Sequence, residues 1–213
     1  MSQAPELAAY LRRRGIGDER VLAAMARVPR ELFVPEEERR RSYADRALAI
    51  GYGQTISQPF MVAVICASLK LAGPERVLDV GTGSGYQAAV LAELAREVVT
   101  IERVPELAEL SRETLAAAGY DRVDVRVGDG TLGVPERAPY DGIAVAAAAP
   151  GIPRALYDQL APGGRLVLPV GTLRDQRLET VVRGPLGPEI RSSVPCRFVP
   201  LVGAEGFDEP AAG

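Results

Sequence analysis

An apolar run that ends in an acid and is followed by glycines at every second position, LDVGTGSGY from Leu78 to Tyr86, constrains this chain more than any other segment. Val77, Leu78 and Val80 read as a buried strand, Gly81, Gly83 and Gly85 as a loop without Cβ atoms, and Gln87 to Leu94 as the helix that follows. Such a turn lets a ligand approach bare backbone at a helix N-terminus. The next strand, Val98 to Ile101, ends in Glu102, 21 positions after Gly81 (102 − 81), about where an acid reaches the ribose hydroxyls in nucleotide-type sites. The spacing points to a nucleoside ligand.

Missing residues narrow the choice of ligand. A dinucleotide fingerprint, G-x-G-x-x-G or A, would place its last small residue where Tyr86 stands, so that match fails. A phosphate-cradling P-loop needs Gly-Lys-Ser or Gly-Lys-Thr, and the only lysine, Lys70, lies upstream of the turn. What remains is an acid, Asp79, before G-x-G-x-G, a second acid ending the next strand, and then GDG at Gly128 to Gly130. This order resembles the class I S-adenosylmethionine-dependent methyltransferases. The resemblance implies S-adenosyl-L-methionine as cofactor, with Gly81 and Gly83 at its methionine part, Glu102 on ribose and Asp129 at adenine, and with Asp79 and Gly130 also among the cofactor-binding residues.

A second motif, GQTISQPFMVA from Gly53 to Ala63, is more specific, because methyltransferases at large share the glycine loop but not TISQP. Together with VPRELFVP at Val28 to Pro35, APYDGIAV at Ala138 to Val145 and GGRLVLPVG at Gly163 to Gly171, it resembles the protein-L-isoaspartate O-methyltransferase family over about Val21 to Val202. Members of that family methylate the free α-carboxyl of L-isoaspartyl residues in aged proteins. The resemblance implies Ser57 as the active-site residue with Thr55 beside it, and substrate contact by Ile56 and by the segment Phe198, Val199 and Pro200. It also implies isoaspartyl proteins and peptides as partners. The chain departs from the family at Ala146, where a hydroxyl is usual, at Gly151, often acidic, and at Tyr52.

The proposed reaction fits the residue inventory. The chain has no histidine, which excludes imidazole general bases and imidazole zinc sites. A carboxylate nucleophile needs no base, since an α-carboxyl titrates at about 3.3 to 3.7. Catalysis then reduces to holding its oxygen in line with the methyl group. Thr55 and Ser57 offer hydroxyls, and backbone N–H groups just before the helix Pro59 to Leu71 suit a carboxylate. Ser57 reads equally well from spacing alone as the N-cap of that helix. Two other functions stay open: a relative dedicated to aspartate in one biosynthetic peptide, and a noncatalytic S-adenosylmethionine-binding module.

The rest of the chain reads as one α/β domain of 213 residues. Pro5 to Arg14 and Asp18 to Val28, with Asp18 as N-cap, form a helical N-terminal appendage within 1–50. Residues 51–171 alternate strand and helix and predict a Rossmann-like, mostly parallel sheet with helices on both faces. Residues 172–204 are β-rich and predict antiparallel edge strands. Residues 205–213 are expected to fray. A net charge of −3 gives no field for nucleic acid, and no apolar stretch is long enough for a membrane span. Cys66 and Cys196 show no metal or redox spacing and read as reduced thiols. With no basic N-terminal region ahead of an apolar segment, the expectation is a cytoplasmic enzyme, acting as a monomer and holding no metal.

Overall fold

The structure is a computed structural model and describes residues 3–209. The chain begins with helices α1 (Ala4–Arg13) and α2 (Glu19–Arg27), a hairpin of β1 (Leu48–Gly51) and β2 (Gln54–Ile56), and helix α3 (Pro59–Leu69). Asp18 fixes the start of α2, its carboxylate accepting from the Arg20 and Val21 amides at 3.0 and 3.1 Å. The alternating part follows: β3 (Arg76–Val80), α4 (Tyr86–Ala92), β4 (Glu97–Glu102), α5 (Pro105–Ala117), β5 (Asp124–Val127), β6 (Tyr140–Val145), α6 (Arg154–Asp158) and β7 (Leu160–Gly171). Two long strands, β8 (Gln176–Gly184) and β9 (Gly187–Cys196), complete the elements.

Seven strands form one sheet in the order β5-β4-β3-β6-β7-β8-β9. The first five are parallel, and β8 and β9 add antiparallel at one edge, as the sequence predicts. The central strands are apolar at successive positions because both their faces are buried. Val77, Val98, Ala144 and Val167 turn to one face, where they join residues of α1 to α5. Leu78, Val99, Ile143 and Val145 turn to the other, against Leu156 of α6, Val134 and Leu201. The chain leaves β3 toward β4 on one side and returns to β6 on the other, so a crevice opens at the carboxyl ends of β3 and β6.

The helical N-terminal appendage packs on the domain: Leu7 and Leu11 of α1, with Val21, Leu22 and Met25 of α2, lie in the same core as α3 and α4. One region differs from its sequence description. The segment expected to fray is tied back as far as Phe207, whose amide donates to the Leu201 carbonyl at 2.8 Å, and the Glu205 amide donates to the Thr131 hydroxyl at 3.1 Å. Residues 210–213 lie outside the described residues.

Candidate active site

A cavity of about 260 Å³ sits at the carboxyl ends of β3, β4 and β6. Its floor is the glycine loop. Gly81, Gly83 and Gly85 have φ of +87°, +53° and +88°, a region open to glycine and strained for other residues. Gly85 is also the N-cap of α4, and a Cβ there would come within 3.0 Å of Leu115. The loop is pinned by the Gly81 amide, which donates to the Ile101 carbonyl at 2.9 Å.

Glu102 closes the cavity on the β4 side and is 5% exposed. One carboxylate oxygen accepts from the Gly83 amide at 2.9 Å, the other from the Val104 amide at 3.1 Å. Each oxygen therefore keeps a lone pair for a ligand, a suitable arrangement for two neighbouring hydroxyls.

Asp79 does not line the cavity; it is fully buried beneath the loop. Its partners are neutral: the Gln87 amide at 2.7 Å and the Thr100 hydroxyl at 2.9 Å. Burial pushes its carboxyl up to about 7; the Gln87 and Thr100 hydrogen bonds oppose this, and the charge of Glu102 adds to it. Since the Thr100 proton goes to Asp79, the Thr82 hydroxyl at 2.7 Å donates to Thr100, and the chain Thr82, Thr100, Asp79 acquires a direction. Gln87 lines the cavity, and its buried Oε1 has no partner.

Asp129 stands outside the cavity lining, while Gly130 is part of it. The Asp129 carboxylate accepts from the Thr131 amide and hydroxyl at 2.8 and 2.7 Å and from the Ala204 amide at 2.8 Å. Burial works against its charge, but the Ala204 amide and the two Thr131 bonds outweigh it and hold the carboxyl below its ordinary value. The Gly203 backbone lies so close that a Cβ there would overlap this carboxylate.

A second groove, of about 600 Å³, shares Thr55, Ser57, Ala146 and Val199 with the first cavity, and Gln58, Met61, Arg197 and Phe198 extend it. The site thus joins a nucleoside-sized pocket to an open channel at two hydroxyls. Neither hydroxyl has a hydrogen bond among the described residues, and Ser57 caps nothing: the N-cap of α3 is Gln58, with no side-chain cap bond. Ile56, Val199 and Pro200 line the first cavity, and Phe198 lines only the groove. Of the sequence-predicted residues, Asp79 and Asp129 alone fall outside both linings.

Three supporting residues carry no motif of their own. Gln176 of β8 clamps Phe198, accepting from its amide at 2.7 Å and donating to its carbonyl at 3.3 Å, and so lays Val199 to Leu201 beside Ala148. Asp45 holds the start of α3. Arg30, fully buried, donates to the carbonyls of Ser42 and Ser57, both at 2.7 Å, and stacks on the Tyr86 ring at 4.6 Å. The sequence locates Arg30 only inside VPRELFVP, where nothing marks it as buried.

A glycine loop on the first strand of a 3-2-1-4-5 parallel order, an acid closing the second strand, and antiparallel strands at the edge define the class I methyltransferase fold. The profile of the protein-L-isoaspartate(D-aspartate) O-methyltransferase (PCMT) family matches residues 2–206, and the chain belongs to that family. It is 54% identical over 197 residues to the protein-L-isoaspartate O-methyltransferase of Methanoculleus marisnigri, covering 92% of this chain and 90% of the relative. It is 57% identical over 196 residues to protein-L-isoaspartate O-methyltransferase 2 of Marinobacter nauticus, covering 91% and 90%. A solved protein-L-isoaspartate O-methyltransferase superposes with TM-score 0.86 at 29% identity, covering 94% of this chain and 66% of its own. Another, from Plasmodium falciparum in complex with S-adenosyl-L-homocysteine, gives TM-score 0.80 at 28% identity, covering 93% and 98%.

Proposed function

We propose that the protein transfers a methyl group from S-adenosyl-L-methionine to the free α-carboxyl of L-isoaspartyl residues in damaged proteins and peptides, starting their return to aspartate through a succinimide. Family membership supports the reaction class. The observation that carries the reading is the meeting of the two cavities at Thr55 and Ser57, whose hydroxyls are free of hydrogen bonds among the described residues.

The residues present fit the cofactor. Gly81 and Gly83 offer bare backbone, and Glu102 keeps an acceptor lone pair on each oxygen. In this reading Glu102 holds the ribose hydroxyls, Gly81 and Gly83 the methionine part, and Gly130 the wall near adenine. Asp79 and Asp129 act by holding the glycine loop and the Ala204 turn in place. The bound cofactor supplies an electrophilic methyl group on a sulfonium.

The protein's own task is positioning. Thr55 and Ser57 donate hydrogen bonds that orient the substrate carboxylate without fully neutralising it, and no residue needs to take a proton. Val199 and Pro200 bound the same junction, and Phe198 flanks the peptide in the groove. Free Cys66 and Cys196 accord with a cytoplasmic location.

The test is mass spectrometry of an isoaspartyl peptide and its aspartyl twin after incubation with enzyme and cofactor. The isoaspartyl link places the carboxylate on a shorter arm, and a misplacement of about 1 Å costs on the order of a hundredfold in rate. The isoaspartyl peptide is expected to be methylated far faster than its aspartyl twin. Equal rates on both, or activity confined to one defined peptide, would sink the repair reading.

A further inference from the structure

Arg30 is a buried cation without a carboxylate partner among the described residues, an arrangement that opposes folding unless the charge or its geometry is used. Its Nε and Nη2 hold carbonyls, and its Nη1 has no partner. The Nη2 bond at 2.7 Å to Ser57 fixes the direction of one peptide plane. The Ser57–Gln58 peptide is trans, so its C=O and N–H point in opposite directions. With the carbonyl drawn inward to Arg30, the Gln58 N–H faces outward, and both residues line the groove. That N–H has no partner among the described residues.

We infer that Arg30 is a positioning residue: by drawing the Ser57 carbonyl inward it turns the Gln58 N–H into the groove as a donor to the substrate's carboxylate. The inference rests on the proposed isoaspartyl reaction and adds a backbone donor to the two hydroxyls. Stacked on Tyr86 and bonded to Ser42 and Ser57, Arg30 links the residues before β1, the substrate turn and the first residue of α4. Its positive charge beneath the turn favours the carboxylate further.

Gln58 has φ −50° and ψ 132°, angles that proline adopts, so Gln58→Pro removes the N–H with the backbone path retained. Gln58→Ala keeps the N–H and is the reference for loss of the side chain. The experiment is steady-state kinetics on an isoaspartyl peptide for Gln58→Pro, Gln58→Ala, Arg30→Met, Arg30→Lys and Arg30→Met/Gln58→Pro. Calorimetric affinity for S-adenosyl-L-homocysteine and melting curves accompany it.

Gln58→Pro should raise KM about tenfold or more over Gln58→Ala, the loss of one hydrogen bond to a charged group. Affinity for the nucleoside should stay within about twofold of wild type, since that ligand makes no use of the lost donor. Arg30→Met should raise KM similarly, Arg30→Lys should restore part of it, and the double variant should be no worse than the poorer single, because both changes remove one donor. Equal KM for Gln58→Pro and Gln58→Ala in an active wild-type background would overturn the inference, as would additive losses in the double variant. Should Arg30→Met fail to fold, the Gln58 pair decides alone. A wild type with no isoaspartyl activity would sink both this inference and the functional reading.

Discussion

Asp45 accepts a hydrogen bond from the backbone amide of Phe60 at 3.0 Å, capping α3 from the turn ahead of β1. The same carboxylate receives the Tyr10 hydroxyl at 3.1 Å and Arg14 at 2.8 Å. The cap that spacing alone could assign to Ser57 is thus supplied from 15 positions upstream. Asp45→Ala should lower stability by about 1 to 2 kcal/mol, mostly through the lost cap, since the half-exposed Arg14 pair contributes little. Chemical denaturation measures it, and an unchanged midpoint would show that the cap contributes nothing.

Ser57→Ala should behave in the opposite way. With no hydrogen bond of its hydroxyl to lose among the described residues, it should melt with the wild type. Its kcat/KM on an isoaspartyl peptide should fall about tenfold or more, the loss of a hydrogen bond to a charged acceptor. Affinity for S-adenosyl-L-homocysteine should be unaffected. A lower melting point with unchanged rate per folded molecule would return Ser57 to a structural role.

Glu102→Ala and Asp129→Ala should separate ligand contact from support. Glu102 lines the cavity with a lone pair free on each oxygen, so its loss should weaken nucleoside binding by about 1.5 to 3 kcal/mol per charged hydrogen bond. Asp129 spends its carboxylate on Thr131 and Ala204, so its loss should lower the melting point first and the affinity less. Titration calorimetry beside melting curves distinguishes them; a larger affinity loss for Asp129→Ala would place its carboxylate on the ligand instead.

What the sequence revealed and what it hid divide along a physical line. The glycine loop was legible because positive φ at Gly81, Gly83 and Gly85 demands a particular residue type, and the Asp18 cap because a local bond demands a particular spacing. The mostly parallel sheet with its antiparallel edge was legible in outline, since runs buried on both faces read as continuous apolar stretches. Arg30, Asp45 and Gln176 were not legible, because Arg30 and Gln176 bond to backbone atoms of distant segments, where a carbonyl or amide has no sequence identity, and Asp45 joins the Phe60 amide to Tyr10 and Arg14, partners 15 to 35 positions away. Asp129 carried a motif, but its partner Ala204 comes from 75 positions away, and the return of the chain decides where its carboxylate faces.

Asp79 makes stability depend on pH. Its carboxyl titrates at about 7 in the folded protein, against about 3.9 in an unfolded chain. Between those values the folded state holds a proton that the unfolded chain has released. The contribution is therefore full below the unfolded value and is lost as pH rises toward the folded one, by at most about 1.4 kcal/mol per pH unit. Asp79→Asn keeps the shape and removes the titration. Its new amide faces Thr100, whose hydroxyl can accept that bond and donate to Thr82, reversing the chain of hydroxyls. The melting temperature of Asp79→Asn relative to wild type should climb from pH 5 to pH 8 and level off above. Parallel curves for the two proteins across that range would show that Asp79 is ionised throughout and that the Gln87 and Thr100 hydrogen bonds outweigh burial.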